Sequence, residues 1–103
     1  MRDAIVRMIT DFLNGKTLPS EFQTELIEIW RELVDLGWKG ESPLSAAEQA
    51  IADEIHSVCF SFTEDFELIE NDPELYIDEG IFRREIKRLL GEFLAAEPNA
   101  NDL

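Results

Sequence analysis

The feature that most constrains the fold is the recurrence of apolar residues at helical spacing, with no useful stretch of the period-two alternation that a half-buried strand needs. In "RDAIVRMITDFLNG", Ile5, Met8, Ile9 and Phe12 stand at i, i+3, i+4 and i+7 and share one helical face. Gly15, following Asn14, suits the left-handed residue that closes many helices, so a first helix is expected over 3–14. "EFQTELIEIWRELVDLG" carries Phe22, Leu26, Ile29, Trp30 and Leu33 on one stripe, with Ser20 as its expected N-cap, Gln23 completing a capping box and Gly37 as its stop. A third helix is expected over 46–62, opened by the capping-box pair Ser45 and Glu48, with Ala47, Ile51, Ile55, Val58 and Phe62 facing inward. The fourth, "EGIFRREIKRLLGEFLAA", starts behind Asp78 as N-cap, buries Phe82, Ile86, Leu89, Leu90 and Phe93, and stops ahead of Pro98.

Four amphipathic helices joined by links of about five, eight and 15 residues predict an all-α fold, an antiparallel four-helix bundle with a long acidic loop between helices 3 and 4. At 103 residues the chain has the size of one domain, expected over 1–97, with 98–103 as a frayed tail. The apolar fraction of 45% separates it from intrinsically disordered chains, which combine low hydrophobicity with high net charge. The net charge of −14 argues against nucleic acid and anionic membranes as partners, because phosphate binding is driven by cations that displace counterions. It favours a basic partner, whose approach such a field accelerates. The charges at Arg2, Asp3, Arg7 and Asp11 interrupt any apolar run near the start, so neither a signal peptide nor a membrane span is read there, and the cytoplasm is the expected location. A monomer is the expected state.

The long link draws the eye as a candidate site. "FTEDFELIENDPELYIDEG", residues 62–80, holds eight carboxylates and no Lys or Arg, with Phe66, Leu68, Ile69 and Tyr76 set among them. Connections of that length within compact domains are often functional. No window fits a calcium-binding loop, since Pro73 and apolar residues occupy the positions where ligands and a flexible glycine belong. No nucleophile, phosphate-binding glycine loop or His-based triad accompanies the acids, and the chain is read as a non-enzyme without a cofactor. "FELIE" within the link reads as a short extended or helical piece.

Elsewhere the chemistry is sparse. Asp53 and His56 have the i, i+3 spacing of di-iron bundles, but a chain with one His lacks the second motif, and His56 with Cys59 lacks further zinc ligands. Cys59 reads as a small buried hydrophobe. Arg83, Arg84, Lys87 and Arg88 on the last helix are expected to neutralise Glu79, Glu92 and carboxylates of the preceding loop. Trp30 falls on a core stripe, and Trp38 is either a cover residue or a surface anchor. A protein-binding surface fits the acidic link best, because apolar anchors supply affinity while surrounding charge supplies orientation and fast encounter. The alternatives are an acidic helical adaptor or chaperone for a basic protein, and a metal-binding bundle using Asp53, His56 and loop carboxylates.

"FLNGK" with Glu21 and Phe22 after it, an acidic segment behind the third helix, and "YIDEGIFRREIKRLLGEF" resemble the colicin D immunity protein family, which includes immunity proteins of bacterial contact-dependent growth inhibition systems. The resemblance runs from about Ile5 to Leu94. It implies a four-helix bundle in the bacterial cytoplasm that binds a cognate basic nuclease toxin domain, typically a tRNA-cleaving one, and covers its active-site cleft with acidic side chains. The toxin-facing positions it implies are Glu64, Asp65 and Glu67, then Glu70 and Asp72. Phe66 as an anchor and Asp53 and Glu54 of the third helix complete the expected surface.

Overall fold

The computed structural model describes residues 1–98, and these form five helices: α1 Arg2–Leu13, α2 Pro19–Trp38, α3 Ala46–Ser61, α4 Phe66–Asn71 and α5 Glu79–Ala95. The four long helices close a ring of contacts, with α1 against α2 and α5, and α3 against α2 and α5. The expected frayed tail, 98–103, lies outside the described residues except for Pro98. Among the described residues no helix is long and apolar enough to cross a membrane.

The stripes of α1 and α5 face inward as their spacing requires: Ile5, Ile9, Phe12, Phe82, Ile86, Leu89 and Phe93 are buried, with Met8 and Leu90 packed partly against them. Phe82 is the hub of an aromatic cluster, stacked on Phe62 at 4.5 Å and tilted against Phe12 and Phe22 at 5.1 and 5.9 Å. Aromatic pairs of this kind add about 0.5–1.5 kcal/mol beyond their burial. The cluster joins three long helices to the end of the fourth, and it lies at the point where the acidic link leaves α3.

Two helix ends close in the same way. Gly15, at φ 78°, lets its own N–H reach Phe12 O at 3.1 Å and lets the Lys16 N–H reach Asp11 O at 2.8 Å. Gly40, at φ 71°, does the same for α2 through bonds to Gly37 O and Leu36 O. Each is a Schellman closure, whose left-handed residue glycine adopts without a Cβ penalty. Gly40 therefore ends α2, whereas Gly37, the expected stop, lies within the helix.

The start of α2 also differs from expectation. Pro19 occupies the first turn, where its missing N–H costs nothing, and Leu18 precedes it without a side-chain cap. Ser20 is inside the helix, where its carbonyl accepts from the Thr24 hydroxyl. Gln23 is freed from capping and crosses to α3, donating to Cys59 O at 2.7 Å and Phe62 O at 3.1 Å. It thereby satisfies carbonyls in the last turn of α3, which no residue within that helix can reach.

The face of α3 is rotated from the expected one. Glu48, Ala52, Ile55 and Cys59 point inward, Ile51 and Val58 are partly buried, and Ala47 is exposed. The capping box is present, with Glu48 accepting from the Ser45 N–H at 2.8 Å. Glu48 is also fully buried, and its other oxygen receives Arg2 Nη1 at 2.6 Å. One carboxylate thus caps α3 and joins it to the start of α1. Burial, the largest influence, raises the Glu48 pKa, but the Ser45 and Arg2 hydrogen bonds outweigh it and hold the carboxyl below its ordinary value. Cys59 is buried and its thiol is pushed up by desolvation, which suits a core residue.

Candidate functional site

The acidic link is a pinned excursion rather than a free loop. Its two ends meet in an isolated parallel bridge between Phe62 and Ile77, in which the Thr63 N–H donates to Ile77 O at 3.2 Å and the Ile77 N–H to Ser61 O at 3.0 Å. Phe62 is buried against Phe82, and Ile77 packs on the same core. Asp78 then caps α5 by accepting from the Ile81 N–H at 2.9 Å.

The segment between these anchors carries α4, which answers the open reading of "FELIE" as helical and divides what had been expected to be one long loop. Local polar chemistry starts it: Thr63 Oγ1 accepts from the Asp65 N–H, and Asp65 Oδ1 accepts from the Glu67 N–H at 2.9 Å. Asp65 is thus an N-cap, a role not expected of it above. Beyond α4, the Asp72 carbonyl accepts from the Leu75 and Tyr76 N–H groups and turns the chain back. Tyr76 and Ile77, on the returning stretch of chain, are half-buried.

α4 buries none of its residues. Glu64, Asp65, Glu67, Glu70, Asp72 and Glu74 are exposed, and among the described residues none of them forms an ion pair. The expectation that the α5 cations neutralise this segment does not hold. Arg83 pairs with Glu79 at 3.1 Å, donates to Phe12 O at 2.9 Å and lies over the Phe12 ring at 4.6 Å, closing the end of α1. Arg88 pairs with Glu85 and Glu92. Most apolar residues of the excursion are also outward: Phe66 is 75% exposed and Leu75 53%, while Ile69 is half-buried. Phe60, on the last turn of α3, adds a ring that is 70% exposed.

Asp53 and Glu54 lie on α3, ahead of the excursion. They lie about 12 Å back along α3 from Ser61, at 1.5 Å per residue, and on different flanks of it. Asp53 faces α2, where its Oδ1 accepts from Trp30 Nε1 and Gln49 Nε2, both at 2.9 Å. Glu54 faces α5, where it adds to the raised pKa that Arg88 owes first to its hydrogen bond with Glu85. Trp30 is half-buried rather than core, and stacks on His56 with ring centroids 3.7 Å apart. Burial lowers the His56 pKa, with Arg31 adding to the effect and Asp53 opposing it, so the imidazole is neutral in the stack at pH 7. The i, i+3 pair therefore meets an indole, and among the described residues no three His, Cys, Asp or Glu side chains gather as a metal ion needs. Trp38 ends α2 with 86% of its surface exposed, a surface position rather than a cover.

The site that emerges is a rigidly footed ledge of unpaired carboxylates around exposed Phe66, Leu68 and Leu75. It has the composition of a docking surface for a cationic protein, with apolar anchors inside a charged rim. Compared with known protein families, curated proteins and solved structures, the chain matches none.

Proposed function

We propose that the protein is an immunity protein of the bacterial cytoplasm. It binds a cognate nuclease toxin domain, a tRNase in the reading favoured here, and covers the basic active-site cleft with the carboxylates of residues 64–72. The four long helices serve as an antiparallel four-helix bundle whose work is to hold that ledge. The observation that carries the reading is the excursion itself: its carboxylates are exposed and free of ion pairs among the described residues, although cations are available on α5. A surface that presents carboxylates without cationic partners has the electrostatic character of an RNA backbone. The resemblance to the colicin D immunity family points the same way.

Magnitudes assign the work within the interface. Nanomolar inhibition needs about −12 kcal/mol. Exposed ion pairs contribute about 0.2–1 kcal/mol each and are screened by salt, so half a dozen of them fall well short. Burying Phe66 and a neighbouring leucine against the partner supplies about 1.5–3 kcal/mol apiece. Desolvated contacts between carboxylates and the catalytic cations of the cleft supply the remainder.

The test is charge reversal at Glu64 and Glu67, which leaves Asp65 to cap α4. Cells that express a nuclease toxin domain against which the wild-type protein protects should lose that protection with Glu64→Lys/Glu67→Lys, while the helical circular dichroism of the purified variant stays unchanged. Full protection by a folded double variant would show that the ledge is not the binding site.

A further inference from the structure

Between α2 and α3 runs an open cleft of about 550 Å³, walled by Trp30, Leu33, Val34 and Leu44, with Gln49 and Asp53 along its α3 side. Its size falls within the range of about 300–1,000 Å³ common to ligand sites. The polar end is built. Two donors from two helices, Trp30 Nε1 and Gln49 Nε2, converge on Asp53 Oδ1 and fix the carboxylate. Among the described residues Oδ2 has neither hydrogen bond nor ion pair. Trp30 is steadied from its other side by the His56 stack. His56 is neutral at pH 7, so the stack itself adds no positive charge, and Arg31 is the cation near it.

A fixed carboxylate at the edge of an indole, above aliphatic walls, suits a planar and weakly hydrated cation. A guanidinium places one N–H edge on the carboxylate and lays its faces against apolar or aromatic surface. An ammonium needs polar partners on all sides; Ser42, Ser45, Gln49 and Asp53 are the polar side chains of the lining, and Leu33, Val34 and Leu44 offer none. We propose that this cleft is an arginine subsite, which receives the guanidinium of a protein partner's arginine against Asp53 and Trp30. The inference rests on the immunity reading only for the partner, a basic nuclease domain held at the same time by the excursion; the affinity of the cleft for arginine is separate and is tested without the toxin.

The experiment titrates the full ¹⁵N-labelled chain with Nα-acetyl-L-arginine methylamide, and in parallel with the lysine counterpart, following the Trp30 indole N–H and the Gln49 side-chain amide by NMR. Saturable shifts are expected with the arginine compound, and binding at least about tenfold weaker with lysine. Asp53→Asn keeps an acceptor for both internal donors and removes the charge, and should weaken the arginine compound at least about tenfold. Shifts that do not saturate, equal binding of lysine, or unchanged binding by D53N would each overturn the subsite. The Glu64→Lys/Glu67→Lys variant should bind the arginine compound as the wild type does. If that variant still protects cells, the ledge fails as the binding site with the subsite intact; if it loses protection while D53N binds arginine unchanged, the subsite fails alone.

Discussion

Arg2→Met is the substitution whose cost follows most directly from the packing. Arg2 donates to the fully buried Glu48 at 2.6 Å, reaches Leu94 O at 3.3 Å and lies 5.4 Å from the centre of the Phe93 ring. Methionine keeps an apolar stem over Phe93 and removes the charge. Removing one partner from a buried pair costs about 3–5 kcal/mol, because the other charge stays desolvated. Two observations reduce that figure: the Arg2 side chain is 22% exposed, and Glu48 keeps its 2.8 Å bond from the Ser45 N–H. The expected loss is therefore about 2–3 kcal/mol, a large part of the total of about 5–15 kcal/mol usual for a domain. Urea denaturation followed by circular dichroism measures it, and the thermal midpoint should fall by about 10 °C or more. Adding Glu48→Gln, which keeps the cap and removes the charge, should return the double variant to within about 1 kcal/mol of wild type. The loss should also shrink in acid. The folded pKa of Glu48 is lowered, so its stabilisation is present above the ordinary value of 4.5 and disappears as pH falls through the lowered one. A loss below about 0.5 kcal/mol for R2M at neutral pH, or no recovery in the double variant, would refute this account of the pair.

Three further outcomes test other parts of the structure. Gln23→Ala removes two bonds to the last turn of α3 and should cost about 1–3 kcal/mol by urea denaturation, because the Cys59 and Phe62 carbonyls lose their donor. His56 has a folded pKa below 6.5, so the unfolded chain takes up the proton first as pH falls; wild type should lose stability from about pH 7 toward pH 5 relative to His56→Gln, and a parallel pair of curves would contradict the stacked, neutral imidazole. Phe66→Ser should change stability by less than about 0.5 kcal/mol, since the ring is 75% exposed, and should still weaken binding of the nuclease domain at least tenfold in a calorimetric titration.

The helices were legible because each carries its own signal. Gly15, the Ser45 and Glu48 box and the Asp78 cap are local chemistry, and all three stand where the sequence places them. What was not legible depends on partners remote in sequence. Gln23 has capping-box spacing from Ser20, yet its donors serve carbonyls 36 and 39 residues away. Glu48 reads as a surface cap, and only the approach of Arg2 across 46 residues makes its burial tolerable. That burial, with Ala52 and Cys59, turns α3 away from the Ala47 face a hydrophobic count prefers. Gly37 against Gly40 illustrates a different limit: both follow an apolar stripe, and the dihedral that distinguishes them is set by where the chain must turn. In the excursion the sequence marked the charge and the apolar residues but not their direction. Asp65 as the cap of α4 was within reach of a local reading, whereas the engagement of Asp53 at α2 depends on Trp30, 23 residues away.

The central claim, that the ledge occupies the catalytic cleft of a nuclease, is tested most directly by steady-state cleavage of tRNA by a cognate nuclease domain at several concentrations of this protein. Inhibition should be complete at one equivalent, competitive with tRNA, and abolished by Glu64→Lys/Glu67→Lys. Inhibition that is noncompetitive with tRNA, or that survives the two reversals, would contradict it.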